Sequence, residues 1–108
     1  MENKRLNISE QPQELEFKIN EPNKQAYLNN KILDLTTKEF NILNLLFKSP
    51  NQTITRKTFL EKVWGFDHYV ASRAVDIEIR RLRQKIEPDP ENPKYIITKW
   101  GEGYYFKS

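Results

Sequence analysis

The chain of 108 residues has no cysteine, one histidine and only three glycines. Each shortage removes a class of chemistry. Without cysteine there is no thiol nucleophile, no disulfide and no Cys-based zinc or iron–sulfur site. His68 alone cannot build a histidine cluster around a metal, and it reads as an ordinary loop residue. An all-carboxylate magnesium site survives the counting. However, Asp34, Glu39, Asp67, Asp76 and Glu78 are scattered over different elements and read as caps and ion pairs. Three glycines do not supply a nucleotide fold, and neither G-x-x-x-x-G-K-[ST] nor G-x-S-x-G is present. The chain is therefore expected to need no metal or cofactor and to catalyse no reaction. Long apolar runs are also missing. The densest, Phe40 to Phe47, is broken by Asn41 and Asn44, well short of the ~18 apolar residues of a spanning helix. Nor does an apolar signal segment follow Met1-Glu2-Asn3-Lys4-Arg5. A soluble, cytoplasmic chain without membrane contact is the expectation, folded as one domain that buries roughly 60–70% of its unfolded surface.

What is present has a clear order. Residues 1–13 are polar, contain Pro12 and lack periodicity, which predicts a flexible tail ahead of a domain over 14–108. Leu15, Phe17 and Ile19 alternate with polar residues as in a half-buried strand. Gln25 to Leu28 predicts a second strand, Asn29-Asn30 a tight turn, and Lys31 to Leu35 a third strand. Helical spacing then takes over. Thr36 and Glu39 have capping-box separation ahead of Phe40, Leu43, Leu46 and Phe47, and Pro50 stops this helix. Thr55 caps a second helix over Arg56 to Trp64, with Gly65 as its stop. An aromatic loop, Phe66 to Ala71, leads to a third helix over Ser72 to Ile86. Tyr95 to Thr98 and Tyr104 to Phe106 bracket Gly101-Glu102-Gly103 as a hairpin. Two helices with a short connection and a following hairpin define an α+β winged helix-turn-helix, with an N-terminal antiparallel sheet, three helices and a C-terminal wing.

The charge is unevenly placed. Residues 1–50 carry seven basic and seven acidic side chains, whereas residues 51–108 carry eleven and eight. The whole excess of +3 lies in the second half, where Arg80, Arg81, Arg83 and Lys85 crowd the third helix. On a helical wheel Val75, Ile79, Leu82 and Ile86 form one stripe. Arg73, Ile77, Arg80, Arg81 and Gln84 lie opposite, and Asp76 is spaced to orient Arg80 or Arg83. An Arg-rich helix face is by itself most often a solvated surface. Two features point further: arginine supports bidentate recognition, and the helix is the second of a close pair, the recognition position. Such a face offers guanidinium groups to phosphates and guanine edges, and Ile77 to a thymine methyl.

From Leu35 to Phe106 the sequence resembles the C-terminal effector domain of OmpR/PhoB-type bacterial response regulators. Four segments carry the resemblance in order: Leu35-Thr36-Thr37-Lys38-Glu39-Phe40; Arg56 with Val63-Trp64-Gly65; Arg73 through Arg83; and Gly101-Glu102-Gly103-Tyr104 with Phe106. It implies a transcription factor bound to double-stranded DNA, and a four-stranded sheet before Leu35. It also implies groove or backbone positions for Arg73, Ala74, Ile77, Arg80, Arg81, Arg83 and Gln84. Arg56 and Trp64 would lie near phosphates; Thr98, Lys99, Trp100 and Gly101 would form the wing contact. Phe66, Asp67, His68 and Tyr69 fall in the segment that in this family can face RNA polymerase. Two protomers would sit head to tail on a direct repeat, the chain being monomeric when free.

The departures are informative. Trp100 stands where the family often has the arginine that enters the minor groove, so Lys99 takes over the charge while Trp100 packs on sugars or covers the wing. Tyr105 replaces a frequent basic residue, and Ala74 is less polar than Thr or Ser. The 108 residues hold no counterpart of the family's receiver domain, so residues 1–13 are expected to be the remnant of a linker in an excised domain, the alternative being a naturally receiver-less protein. The rival reading is a protein-interaction module whose Arg-rich helix and 66–71 loop bind an acidic partner such as RNA polymerase.

Overall fold

A three-stranded meander begins the fold, in a computed structural model that describes residues 16–65 and 72–108. Strands β1 (Phe17–Asn20), β2 (Gln25–Leu28) and β3 (Lys31–Ile32) pair antiparallel in that order. Asn29 and Asn30 both adopt positive φ, 53° and 69°, as a two-residue hairpin turn requires. The third strand is shorter than expected, ending at Ile32 instead of Leu35. The Leu33 N–H donates to the Ala26 carbonyl and the Leu35 N–H to the Leu33 carbonyl, which turns the chain toward the next helix while both leucines pack on the core. The described residues give this sheet three strands where the resemblance implies four. Leu15 and the 1–13 tail lie outside the described residues.

Helix α1 (Thr37–Lys48) starts with the expected capping box. Thr36 Oγ1 accepts from the Glu39 N–H at 3.1 Å, and Glu39 Oε1 accepts from the Thr36 N–H at 2.8 Å. Lys85 Nζ adds a 2.7 Å ion pair to the same carboxylate, tying α1 to the helix that follows it in the core. Two short elements come next, β4 (Ile54–Thr55) and α2 (Arg56–Phe59), the latter capped by Thr55 Oγ1. Strand β4 has too few residues to show a period. The second helix departs from a continuous α-helix over 56–64: beyond Phe59 it widens into a π turn, Leu60–Trp64. The Gly65 N–H closes that turn on the Leu60 carbonyl at 2.9 Å, an i→i−5 bond.

Helix α3 (Arg73–Ile86) starts one residue after the expected Ser72, which is its N-cap. Val75, Ile79, Leu82 and Ile86 form its buried stripe, none more than 3% exposed. Each such side chain contributes about 1.5–3 kcal/mol of burial. The helix ends at Glu87, whose buried carboxylate accepts from the backbone N–H groups of Lys94, Tyr95 and Ile96. Tyr95 stands just before the first strand of the hairpin instead of beginning it, its carbonyl accepting from the Lys107 N–H at 2.8 Å. Strands β5 (Ile96–Lys99) and β6 (Gly103–Phe106) form the hairpin. Strand β4 adds to its other side, giving the order β4-β6-β5. Between hairpin, α1 and meander, Phe106 meets Phe47 and Phe17 edge to face with centroids 5.4 Å apart, and Phe17 lies tilted against Phe47 at 6.1 Å.

Candidate nucleic-acid interface

The exposed side of α3 is built by its buried side. Fixing Val75, Ile79, Leu82 and Ile86 inward turns Arg73, Ile77, Arg80, Arg81 and Gln84 outward over successive turns. Ile77 is 43% exposed, an apolar group in a basic surface. Ala74 is half-buried at the edge of that face. Arg81 Nη1 reaches Glu78 Oε2 at 3.2 Å within the helix. Arg73 and Arg80 take no hydrogen-bond or ion-pair partner among the described residues. Among the described residues the face therefore presents two guanidinium groups without a partner, a third paired with Glu78 within the helix, one amide and one branched apolar contact.

Arg83 behaves differently from the reading that put it at a groove or backbone position. Its guanidinium is turned onto the wing. Nε and Nη2 donate to the Ile96 carbonyl at 3.1 and 2.7 Å, and Nη2 also donates to Thr98 Oγ1 at 2.9 Å. Burial lowers its pKa, yet a guanidinium stays charged. Thr98, expected at the DNA surface, is half-buried and occupied by this bond.

Asp76 also departs from expectation. Instead of orienting Arg80 or Arg83, its Oδ1 accepts from Arg56 Nε at 2.8 Å and from the Tyr104 hydroxyl at 2.5 Å. The Asp76 bond raises the Arg56 pKa. Burial, with the bond to Asp76, pushes the Tyr104 hydroxyl up to about 12, so it stays protonated and donates. The guanidinium carbons of Arg56 and Arg83 each lie 5.4 Å from the Tyr104 ring centroid. One tyrosine thus joins α2, α3 and β6 through one carboxylate and two cations. Sequence reading missed this cluster, because its members are spread from 56 to 104. The only local signal was an Asp near the start of a mostly basic helix.

At the wing tip the Glu102 N–H donates to the Lys99 carbonyl at 2.9 Å. Gly101 has φ 81°, the positive value that the third residue of a type II turn requires. Trp100, the second residue of that turn, is 86% exposed. With that much of its surface open to solvent it does not cover the wing. Lys99 is exposed beside it. Trp64 is half-buried, with Lys38 Nζ 5.3 Å from its ring centroid. Phe66, Asp67, His68 and Tyr69 lie outside the described residues.

The family model described as "Transcriptional regulatory protein, C terminal" matches residues 29–106. The chain belongs to that family. It is an OmpR/PhoB-type winged-helix DNA-binding domain, the effector part of this class of response regulator. Among relatives of this family, the probable transcriptional regulator ycf27 of Galdieria sulphuraria is 44% identical over 93 residues, covering 84% of this chain and 36% of that protein. Response regulator DrrB of Thermotoga maritima, an OmpR/PhoB homologue, superposes with a TM-score of 0.77 at 38% identity, over 85% of this chain and 42% of its own. The RstA DNA-binding domain of Klebsiella pneumoniae, solved in complex with the RstA box, gives 0.76 at 30% identity, over 84% of this chain and 90% of its own. The chain thus spans well under half the length of ycf27 and DrrB. No helix among the described residues is long and apolar enough to cross a membrane, and no group of three His, Asp or Glu there could hold a metal ion.

Proposed function

We propose that the chain binds duplex DNA sequence-specifically as the output domain of a two-component response regulator. In this reading α3 enters the major groove and the hairpin crosses the adjoining backbone and minor groove. The observation that carries it is the open face of α3, where Arg73, Ile77, Arg80, Arg81 and Gln84 stand clear of the core. Arginine in a major groove pairs with guanine O6 and N7, glutamine with adenine, and an apolar group with the thymine methyl. Arg56 at the start of α2 and Lys99 on the wing serve phosphates, alongside the half-buried Trp64.

Arg83 takes a positioning role: it fixes the angle between α3 and the wing, so both meet the duplex as one rigid body. The free chain is a monomer, and two copies occupy a direct repeat head to tail, in the cytoplasm where the DNA lies. The function needs no metal, cofactor or reaction. RstA, solved on its DNA box, supports the partner class. The test is selection of bound sequences from a random duplex pool. Enrichment of a direct repeat supports the reading, and a pool that stays random refutes it. Ile77→Ala should alter base preference more than total affinity, and an equal loss on every sequence would remove Ile77 from the reading surface.

A further inference from the structure

We infer that Tyr104 is a positioning residue for DNA binding: its hydroxyl holds the Asp76 carboxylate away from Arg80 and so keeps the Arg80 guanidinium open to the duplex. The inference rests on the DNA-binding reading above. It starts from a competition built into α3. Asp76 precedes Arg80 by four residues, so the two are neighbours on the helix surface, with the acid on the N-terminal side, the order that favours pairing. Yet the pair does not form. Asp76 Oδ1 is taken by Arg56 Nε and the Tyr104 hydroxyl, and Arg80 has no partner among the described residues. The same helix carries an internal control. Glu78 has no partner on another element among the described residues, and it pairs with Arg81 at 3.2 Å. A carboxylate of α3 that is not held from elsewhere captures a basic residue of the open face.

The two donors that hold Asp76 differ in what they contribute. Arg56 comes from α2, and its side chain is 29% exposed against 40% for that of Asp76, so water competes for their bond. Tyr104 comes from β6 and is buried. Its backbone is paired with Ile54 on one side and Thr98 on the other, and its ring packs against Phe59 at 6.3 Å. The hydroxyl is therefore a donor fixed in place. Its pKa of about 12 keeps the proton on it at neutral pH. A hydrogen bond to an ionised carboxylate is roughly twice as strong as one between neutral groups. An exposed i,i+4 ion pair shifts an equilibrium by a factor of only about two. The hydroxyl thus decides the competition, and a strand of the wing sets the charge available on a neighbouring helix. Without it Asp76 turns to Arg80 and cancels a cation on the face that meets phosphates and guanine edges.

The test compares Tyr104→Phe, Asp76→Asn and the two together, each in the full 108-residue chain. Tyr104→Phe keeps the ring on Phe59 and removes only the hydroxyl. In the free chain, the NMR resonance of the Arg80 Nε–H group should shift in Tyr104→Phe and return when Asp76→Asn is added. On a duplex recovered from the random pool, Tyr104→Phe should bind about threefold more weakly, with the slope of log K against log salt shallower by up to about one. Adding Asp76→Asn should abolish that loss, because no carboxylate remains to capture Arg80. A loss caused only by a weakened wing persists in the double variant, and that result overturns the inference. An Arg80 resonance that stays in place in Tyr104→Phe overturns it too. Arg56→Met withdraws the other donor and should move the same resonance, which supplies the readout where Tyr104→Phe does not fold; a resonance unmoved there is likewise a refutation. If Arg80→Ala binds every duplex as the intact chain does, the DNA-binding reading itself fails, a separate outcome from the behaviour of the resonance.

Discussion

Replacing Arg83 by methionine keeps the aliphatic stem against the hairpin and removes the fork that holds it. The loss can be worked from the contacts. Two donor atoms serve the Ile96 carbonyl at 2.7 and 3.1 Å, and one also serves Thr98 Oγ1 at 2.9 Å. A hydrogen bond from a charged donor is worth about 1.5–3 kcal/mol. The contact with the Tyr104 ring adds about 0.5–1 kcal/mol. Against this stands the desolvation that lowers the Arg83 pKa, which methionine relieves. The net expectation is about 2 kcal/mol of lost stability, a large share of the ~5–15 kcal/mol of a domain this size. With a urea dependence of ~1.5 kcal/mol per molar, the unfolding midpoint should fall by about 1.3 M. DNA affinity of the folded variant should fall modestly, because the wing loses its fixed angle to α3. Arg83→Lys keeps the charge without the fork and should recover less than half of the stability. The result that refutes this reasoning is a variant as stable as the parent that binds DNA a hundredfold more weakly. Arg83 would then be a direct reader of DNA and not the brace of the wing.

Gly103→Ala should cost at least ~3 kcal/mol in thermal or urea unfolding, because an added Cβ meets the Ile54 carbonyl and the backbone of Thr55. A fully stable Ala variant would mean that β4 does not pair there. Glu39→Gln should flatten the acid limb of stability. Burial opposes ionisation of Glu39, but the bonds from Lys85 and Thr36 outweigh it and hold its pKa below 4.5. A depressed carboxyl stabilises the fold above its unfolded value and loses that contribution as pH falls through the folded value. The parent should therefore lose more stability than the variant between about pH 6 and pH 3, measured by urea midpoints, and parallel curves would contradict the assignment. For DNA binding, log K should fall with log salt at a slope near −4 to −5 for ~4–6 engaged phosphates, and a flat titration would count against an electrostatic interface.

Hydrophobic period carried most of the architecture. The stripe Val75, Ile79, Leu82, Ile86 and the box Thr36–Glu39 are local in sequence, so their partners lie within a few residues and spacing alone finds them. Because the apolar stripe was legible, so was the polar face opposite, with Arg73, Ile77, Arg80, Arg81 and Gln84 left outward by geometry. What escaped has a common cause. Strand β4 is two residues long and exists only because β6 offers it an edge. Tyr104, Asp76, Arg56 and Arg83 belong to three elements, and charge spacing within α3 wrongly assigned Asp76 to its own helix. Helical i,i+4 pairs of this kind are worth only a few tenths of a kcal/mol. A half-buried guanidinium with a tyrosine hydroxyl on the same carboxylate outcompetes them. The two kinds of arginine on α3 follow from this. Those that take no partner among the described residues, Arg73 and Arg80, remain available to a ligand. Arg83, which faces the carbonyls of a second element, becomes part of the scaffold that aims them.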